Sequence, residues 1–334
     1  MHFHLEFNPE AFTQKINHRD KLLLIGSCFT ENIGSKLKLL KFNVLENPNG
    51  ILFNPISIVQ SLNSYIENKQ YTEADLFYQN ETWNSWGHHS RFSDPDKSTC
   101  LQRINQSQQT AHEWLKTADW ILVTVGSAFV YEFDNRNNSP LEDRGKVVAN
   151  CHKVPTDKFN KKLLSADEIV AACMELLDKI FSFNPAAKII FTISPVRHLR
   201  DGFVENNRSK ASLIQAIHQM VDTDERLFYF PAYELVIDDL RDYRFYADDM
   251  VHPNYAATNY VWEKFIATCI DGQSQELMKE INIINAAKNH KPFNPTSQQH
   301  KRFLLAHLQK TLQLQHNYPY LVLEAEINFF TPNI

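Results

Sequence analysis

A run of four apolar residues, Leu22 to Ile25, leads directly into Gly26-Ser27-Cys28-Phe29-Thr30-Glu31-Asn32-Ile33-Gly34 and then a helix-like segment, Ser35 to Leu40. A short buried strand turning sharply into a helix holds a reactive atom above the C-terminal edge of an α/β sheet. The helix start adds unpaired N–H groups and a partial positive charge. Cysteine ionises more easily at such a position, so the placement favours a thiolate. Cys28 is the candidate nucleophile, with Ser27 as the fallback if the turn is displaced by one residue.

Strand and helix signals then alternate. Ile121 to Gly126 reads as a second buried strand, Lys188 to Ile193 as a third and Leu227 to Phe230 as a fourth. Ser165 to Phe183 reads as a helix with a Ser165/Glu168 capping box, stopped by Asn184-Pro185, and Ser209 to Val221 as another. This alternation predicts a three-layer, mostly parallel α/β sheet, with ligands at the C-terminal strand edge.

The reading divides the chain into a catalytic domain, 1–274, and a helical/strand appendage, 275–334. Within the first, residues 65–118, rich in aromatics, and the polar stretch 127–164 read as insertions. In the second, Leu304, Leu305, Leu308 and Leu312 share a helix face, and Tyr318 to Phe330 is apolar enough to be strand-like. That closing segment either packs on the core or makes a homo-oligomer contact.

The motif Ile25-Gly26-Ser27-Cys28-Phe29-Thr30-Glu31-Asn32-Ile33-Gly34 resembles the first block of the SGNH (GDSL-like) hydrolase superfamily. It is closer still to the GSCFA family, an SGNH-related group named for this motif. The resemblance implies a flavodoxin-like fold of SGNH-hydrolase type. It assigns the superfamily's aspartate position to Ser27 and its nucleophilic serine position to Cys28. Downstream, Asp248-Asp249-Met250-Val251-His252-Pro253-Asn254 resembles the last SGNH block, Asp-x-x-His followed by Pro-Asn. By carry-over His252 is the general base and Asp249 its orienter, since an imidazole that accepts a proton needs its other nitrogen held by a carboxylate. Asp248 is the neighbour open to misassignment.

The remaining blocks match less well. Asp119 to Gly126 resembles the third block, but Ala128 stands where the superfamily has an oxyanion-binding asparagine, a loss worth about 10²–10³ in rate if nothing replaces it. The backbone N–H of Cys28 remains as a donor. Asn54, in Asn49-Gly50-Ile51-Leu52-Phe53-Asn54-Pro55, is either a second oxyanion donor or a loop cap. Gly126 marks the edge of the site. His88 and His89 either line it or pack among aromatics; they lack metal-ligand spacing, and no metal is expected. Cys151-His152 is a rival nucleophile pair off any strand-to-helix turn, with His152 a substrate-lining candidate. Arg197 and His198 leave a buried strand at the same edge and suit an anionic group on a substrate.

These readings imply an acyl-ester hydrolase or O-acyltransferase working through a cysteine acyl-thioester, on a small-molecule or carbohydrate substrate, with no cofactor. The alternative is a catalytically weakened scaffold that binds a glycan or acylated ligand. With a net charge of −5 and no basic block, nucleic acid is not an expected partner. No apolar run reaches the roughly 18 residues of a bilayer span, so no membrane association is expected. Five cysteines without a Cys-x-x-Cys pair, and no apparent signal peptide at Met1 to Phe7, predict a cytoplasmic setting.

Overall fold

The computed structural model describes residues 5–134 and 145–331. In chain order, β1 (Lys21–Gly26) leads into α1 (Cys28–Leu39), β2 (Asn43–Glu46) and α2 (Pro55–Ile66). A hairpin of β3 (Phe77–Gln79) and β4 (Thr82–Asn84) precedes α3 (Lys97–Leu115) and β5 (Trp120–Val125). There follow β6 (Phe129–Phe133), β7 (Val147–Val148), β8 (Phe159–Leu163), α4 (Ala166–Phe183), β9 (Lys188–Ile193), α5 (Gly202–Val221) and β10 (Leu227–Phe230). The short α6 (Ala232–Glu234) runs into a π-helical turn, Leu235–Leu240, before α7 (Tyr255–Cys269), α8 (Gly272–Asn289), α9 (Gln298–Asn317) and α10 (Glu324–Phe330).

Five strands form the central sheet in the order β10-β9-β5-β1-β2, every neighbouring pair parallel. Numbered among themselves along the chain, that order is 2-1-3-4-5, the doubly wound arrangement whose ligand crevice opens at the C-terminal ends of the first and third strands. Here those are β1 and β5. Successive residues of β1 point to opposite faces. Leu22 and Leu24 pack with Phe29, Ile33 and Leu37 of α1 and with Val261, Trp262 and Phe265 of α7. Leu23 and Ile25 face α2, α3, α4 and α5 through Ile58, Leu62, Leu115, Ile180, Leu213 and Ile217. The mostly parallel, three-layer reading holds.

Several element boundaries differ from the sequence reading, each for a local reason. Helix α1 begins at Cys28, not Ser35, because the Ser27 hydroxyl accepts the Phe29 N–H and caps it. Of residues 65–118, Lys97–Leu115 form α3, which contributes Ala111 and Leu115 to the core beside β1 and β5, so only the hairpin and its loops stand outside the sandwich. Within 127–164, β7, β6 and β8 make a small antiparallel sheet, and residues 135–144 lie outside the described residues. The closing segment is helical over Glu324–Phe330, not a strand. Its acidic residues Glu324 and Glu326 suit a helix start, and Leu321, Leu323 and Phe330 are buried in the same cluster as α1 and α7. Residue 274 falls inside α8, so that helix is continuous across the expected domain boundary.

Candidate functional site

The turn after β1 is built on backbone. Gly26 takes φ +143°, and a Cβ there would overlap the Thr124 carbonyl of β5. Its N–H donates to Asn47 Oδ1 at 2.8 Å, and the Ser27 N–H donates to Thr124 O at 3.1 Å. The Ser27 hydroxyl is buried and spent on its cap. Cys28 therefore opens α1 half-buried, its thiol beyond the ends of β1 and β5. One expectation is corrected here. Burial pushes the Cys28 thiol above its ordinary value, with Glu31 acting in the same direction, and this outweighs the nearby backbone N–H groups and Lys210.

The downstream motif folds as one tight turn. Asp249 Oδ1 accepts the N–H groups of Val251 (2.9 Å) and His252 (3.0 Å), while Oδ2 sits 2.7 Å from His252 Nδ1. Those bonds, the backbone N–H of His252 first, hold the Asp249 carboxyl at about 2. With Nδ1 donating to Asp249, Nε2 is the basic nitrogen. Asp248 makes no hydrogen bond to His252 among the described residues. The turn rests on the segment after β9. The Arg197 N–H donates to Val251 O at 3.1 Å, and the Arg197 guanidinium lies 4.0 Å over the Tyr246 ring and 4.9 Å from that of Tyr243. Arg197 thus braces the loop that carries His252.

His198, one residue on, tilts against Phe53 with ring centroids 5.6 Å apart. A Cβ on Gly126 would come within 3.0 Å of its Nε2, so glycine there leaves room for the imidazole. That Nε2 is buried without a hydrogen-bond partner among the described residues. Burial, followed by the charges of Lys210 and His252, holds His198 neutral at about 4. The N–H groups of Gly126 and Ser127 donate to Phe53 O at 2.8 and 3.0 Å, tying the second and third motif segments together. Among the described residues nothing accepts from the N–H groups of Cys28 or Phe53.

The other candidates fall elsewhere. Asn54 caps α2: its Oδ1 accepts the Ser57 N–H at 2.8 Å and its Nδ2 donates to Ser57 Oγ at 2.9 Å. Ala128 is buried with its N–H on Ser209 Oγ at 2.7 Å. His88 is buried among Tyr71 and Phe92, its Nδ1 2.8 Å from Ser85 Oγ, and burial drives it down to about 3. His152 turns into the same insertion, with Nε2 2.9 Å from Ser85 O, and Trp86 and Phe77 at its edges. His89 caps a short turn whose Arg91 pairs with Glu31 of α1 at 3.1 Å, bringing that loop to the rim near Cys28. Cys151, the rival thiol, is raised by burial to about 11.

Lys210 belongs to this region and was missed by motif reasoning. Its Nζ donates to Gly126 O at 2.7 Å and Ser194 O at 2.6 Å, the carbonyls just beyond β5 and β9. The available signal was periodicity: Lys210 heads the buried stripe Leu213, Ile217 and Met220 on α5, a place where a lysine needs a reason.

Three solved structures give the scale of distant likeness. A carbohydrate esterase family 3 protein from Talaromyces cellulolyticus is 10% identical at a TM-score of 0.36, covering 79% of this chain and 99% of its own. An acetyl esterase variant solved with acetate is 11% identical at 0.35, covering 79% and 99%. An acetyl xylan esterase from the rumen bacterium Butyrivibrio proteoclasticus is 13% identical at 0.34, covering 84% and 66%. Identities and scores this low say nothing of activity. No curated protein matches the chain. Residues 281–333 match the GSCFA domain protein C-terminal domain, and residues 21–265, well over half the chain, match the GSCFA family model; this protein belongs to the GSCFA family.

Proposed function

We propose that this protein is an acyl-ester hydrolase or O-acyltransferase that works through a Cys28 thioester. The observation that carries the reading is the grip of Asp249 on the His252 turn, through two bonds to His252 and one to the Val251 N–H, in a turn braced from the end of β9. A protein that only binds a ligand has little need for an imidazole oriented in this way. His252 Nε2 takes the Cys28 proton as Sγ attacks the ester carbonyl carbon, and the carbonyl π pair moves onto oxygen. The N–H groups of Cys28 and Phe53 are the donors available to that oxyanion, replacing the side chain that Ala128 lacks. Collapse expels the alcohol oxygen, which takes the proton from His252. Water, or an acceptor hydroxyl, then gives His252 a proton and attacks the thioester carbon, releasing Cys28 as thiolate. The acyl group is carried on a small alcohol or a carbohydrate hydroxyl. Since the five cysteines are free and the chemistry needs a reduced thiol, we place the protein in the cytoplasm.

The test incubates the protein with short-chain activated esters, quenches in acid and maps the adduct by mass, beside Cys28→Ala and His252→Ala. An acyl group on Cys28, absent in the first variant and slow to form in the second, is expected. No adduct and no turnover across several acyl lengths would favour the weakened, ligand-binding scaffold. An adduct on Ser27 would move the nucleophile by one residue.

A further inference from the structure

We infer that His198 is the side-chain donor of the oxyanion site: its Nε2–H, set against Gly126 and Phe53, bonds the oxygen of the acyl group under attack and adds a third donor to the backbone N–H groups of Cys28 and Phe53. The inference deepens the acyl-transfer reading and rests on it.

Backbone bonds join the seat of His198 to the nucleophile turn. The Leu52 N–H donates to Gly26 O at 2.9 Å, and Phe53 O accepts the N–H groups of Gly126 and Ser127 at 2.8 and 3.0 Å. Phe53 and Gly126 are thus held beside the residues that lead into Cys28, and the His198 ring rests on both. Its centroid lies 5.6 Å from that of Phe53, and a Cβ on Gly126 would come within 3.0 Å of Nε2 and 3.1 Å of the Phe53 Cβ. Gly126 has no positive φ, so this close approach, and not its backbone, is what calls for glycine. The same segment also meets the base: the Arg197 N–H donates to Val251 O at 3.1 Å, one residue before His252. The His198 N–H donates to Oδ1 of Asn206, buried on α5, at 2.9 Å, which fixes the backbone that carries the ring.

The His198 Nε2 is buried without a partner among the described residues. Such a nitrogen is destabilising, and phenylalanine would fill the place without that cost. A partner that arrives only with the substrate resolves the conflict. His18, His88, His152 and His307 also bury an unpartnered ring nitrogen, so burial alone would not select His198; its contacts with the two motif segments do. Burial, followed by the charges of Lys210 and His252, holds the imidazole neutral at about 4. One ring nitrogen then carries the hydrogen at neutral pH, and a neutral N–H is a suitable donor to developing negative charge.

The experiment compares two reactions of one thiol. Acylation of Cys28 by an activated short-chain ester passes through an oxyanion, whereas alkylation by iodoacetamide displaces iodide from carbon and forms none. Both rates are followed by peptide mapping in wild type, His198→Phe and His198→Gln. His198→Phe, which fills the space without a donor, should acylate about 10²–10³-fold more slowly, with alkylation within about twofold of wild type. His198→Gln, which keeps a side-chain N–H donor, should recover much of the acylation rate. Acylation at the wild-type rate in folded His198→Phe overturns the inference. So does an equal loss in both reactions, which would place the effect of the ring on the thiol. Should His198→Phe fail to fold, the wild-type protein decides. Acetaldehyde adds to Cys28 as a hemithioacetal, with Sγ bonded to the carbonyl carbon and the thiol proton passing to its oxygen. The NMR signal of the His198 Nε2–H should then move downfield, and a hemithioacetal that leaves it unmoved overturns the inference. A wild type that acylates with no ester removes the acyl-transfer reading and the inference with it, whereas a wild type that acylates no faster than His198→Phe removes the inference alone.

Discussion

Asp249 and His252, three residues apart, are joined by a 2.7 Å contact between Oδ2 and Nδ1 while the other carboxylate oxygen accepts two backbone N–H groups of the same turn. The turn thereby fixes the imidazole's tautomer and direction together. Asp249→Asn should lower the rate of Cys28 acylation by about 10²–10⁴-fold, since it removes the charge and favours the wrong tautomer. Asp248→Asn should leave it near wild type. Stopped-flow release of an activated alcohol compares the two, and equal losses would mean that the wrong carboxylate has been assigned.

Acid should not act on activity through Asp249. The Asp249 carboxyl is held at about 2, so it stays ionised across the working range. A pH–rate profile of acylation should therefore show no loss of rate from protonation of Asp249 at any pH well above about 2. A profile with two acidic inflections would contradict this.

Stability should also fall in acid, for a separate reason. His88 is buried and held at about 3, against an ordinary value of 6.5. The unfolded chain therefore binds a proton that the folded chain refuses at any pH between those values. Stability from this group is complete above about 6.5 and declines as pH falls toward 3, by up to about 1.4 kcal/mol per pH unit. Thermal melts from pH 7 to 4 should show a shallower decline in His88→Gln than in wild type. An identical slope would mean that His88 titrates normally.

Gly26→Ala should destabilise the fold by at least about 2 kcal/mol, combining positive-φ strain with overlap on the Thr124 carbonyl. Urea denaturation measures it. A variant as stable as wild type would show that the turn can open away from β5.

The C-terminal helices depend on a buried carboxylate. Glu326 of α10 meets Lys41 at 2.7 Å and Lys288 of α8 at 2.9 Å. Burial opposes its charge, but the two lysines outweigh this and hold the carboxyl below its usual range. A lowered folded value gives stability that is present at neutral pH and lost as acid protonates the group. Glu326→Ala should cost about 1–3 kcal/mol by taking their shared carboxylate from two partly exposed lysines. Limited proteolysis should then cleave near α9 and α10 first. Unchanged resistance would show that Leu321, Leu323 and Phe330 hold the appendage without the ion pairs.

Much of the frame was legible as local pattern. The apolar run Leu22 to Ile25 forms β1, the Ser165/Glu168 box starts α4, and Lys188 to Ile193 forms β9, because burial on both faces of a parallel sheet leaves a run that needs no knowledge of its partners. The pairing of Asp249 with His252 was legible too, since a turn brings residues three apart together whatever surrounds it. What lay beyond sequence were relationships between distant segments. The closing helix looked like a strand because its apolar residues suit either form, and the α1–α7 face of the core decides between them. Asn54 was ambiguous until α2 took its side chain as a cap. Cys28 sits where a helix start should ease its ionisation, yet burial in the folded chain pushes the thiol up. Lys210, buried on α5, meets the ends of β5 and β9 only once the sheet has formed. Chain-local bonds follow from neighbouring residues, whereas desolvation and long-range charge are set by whatever the folded chain packs against a group.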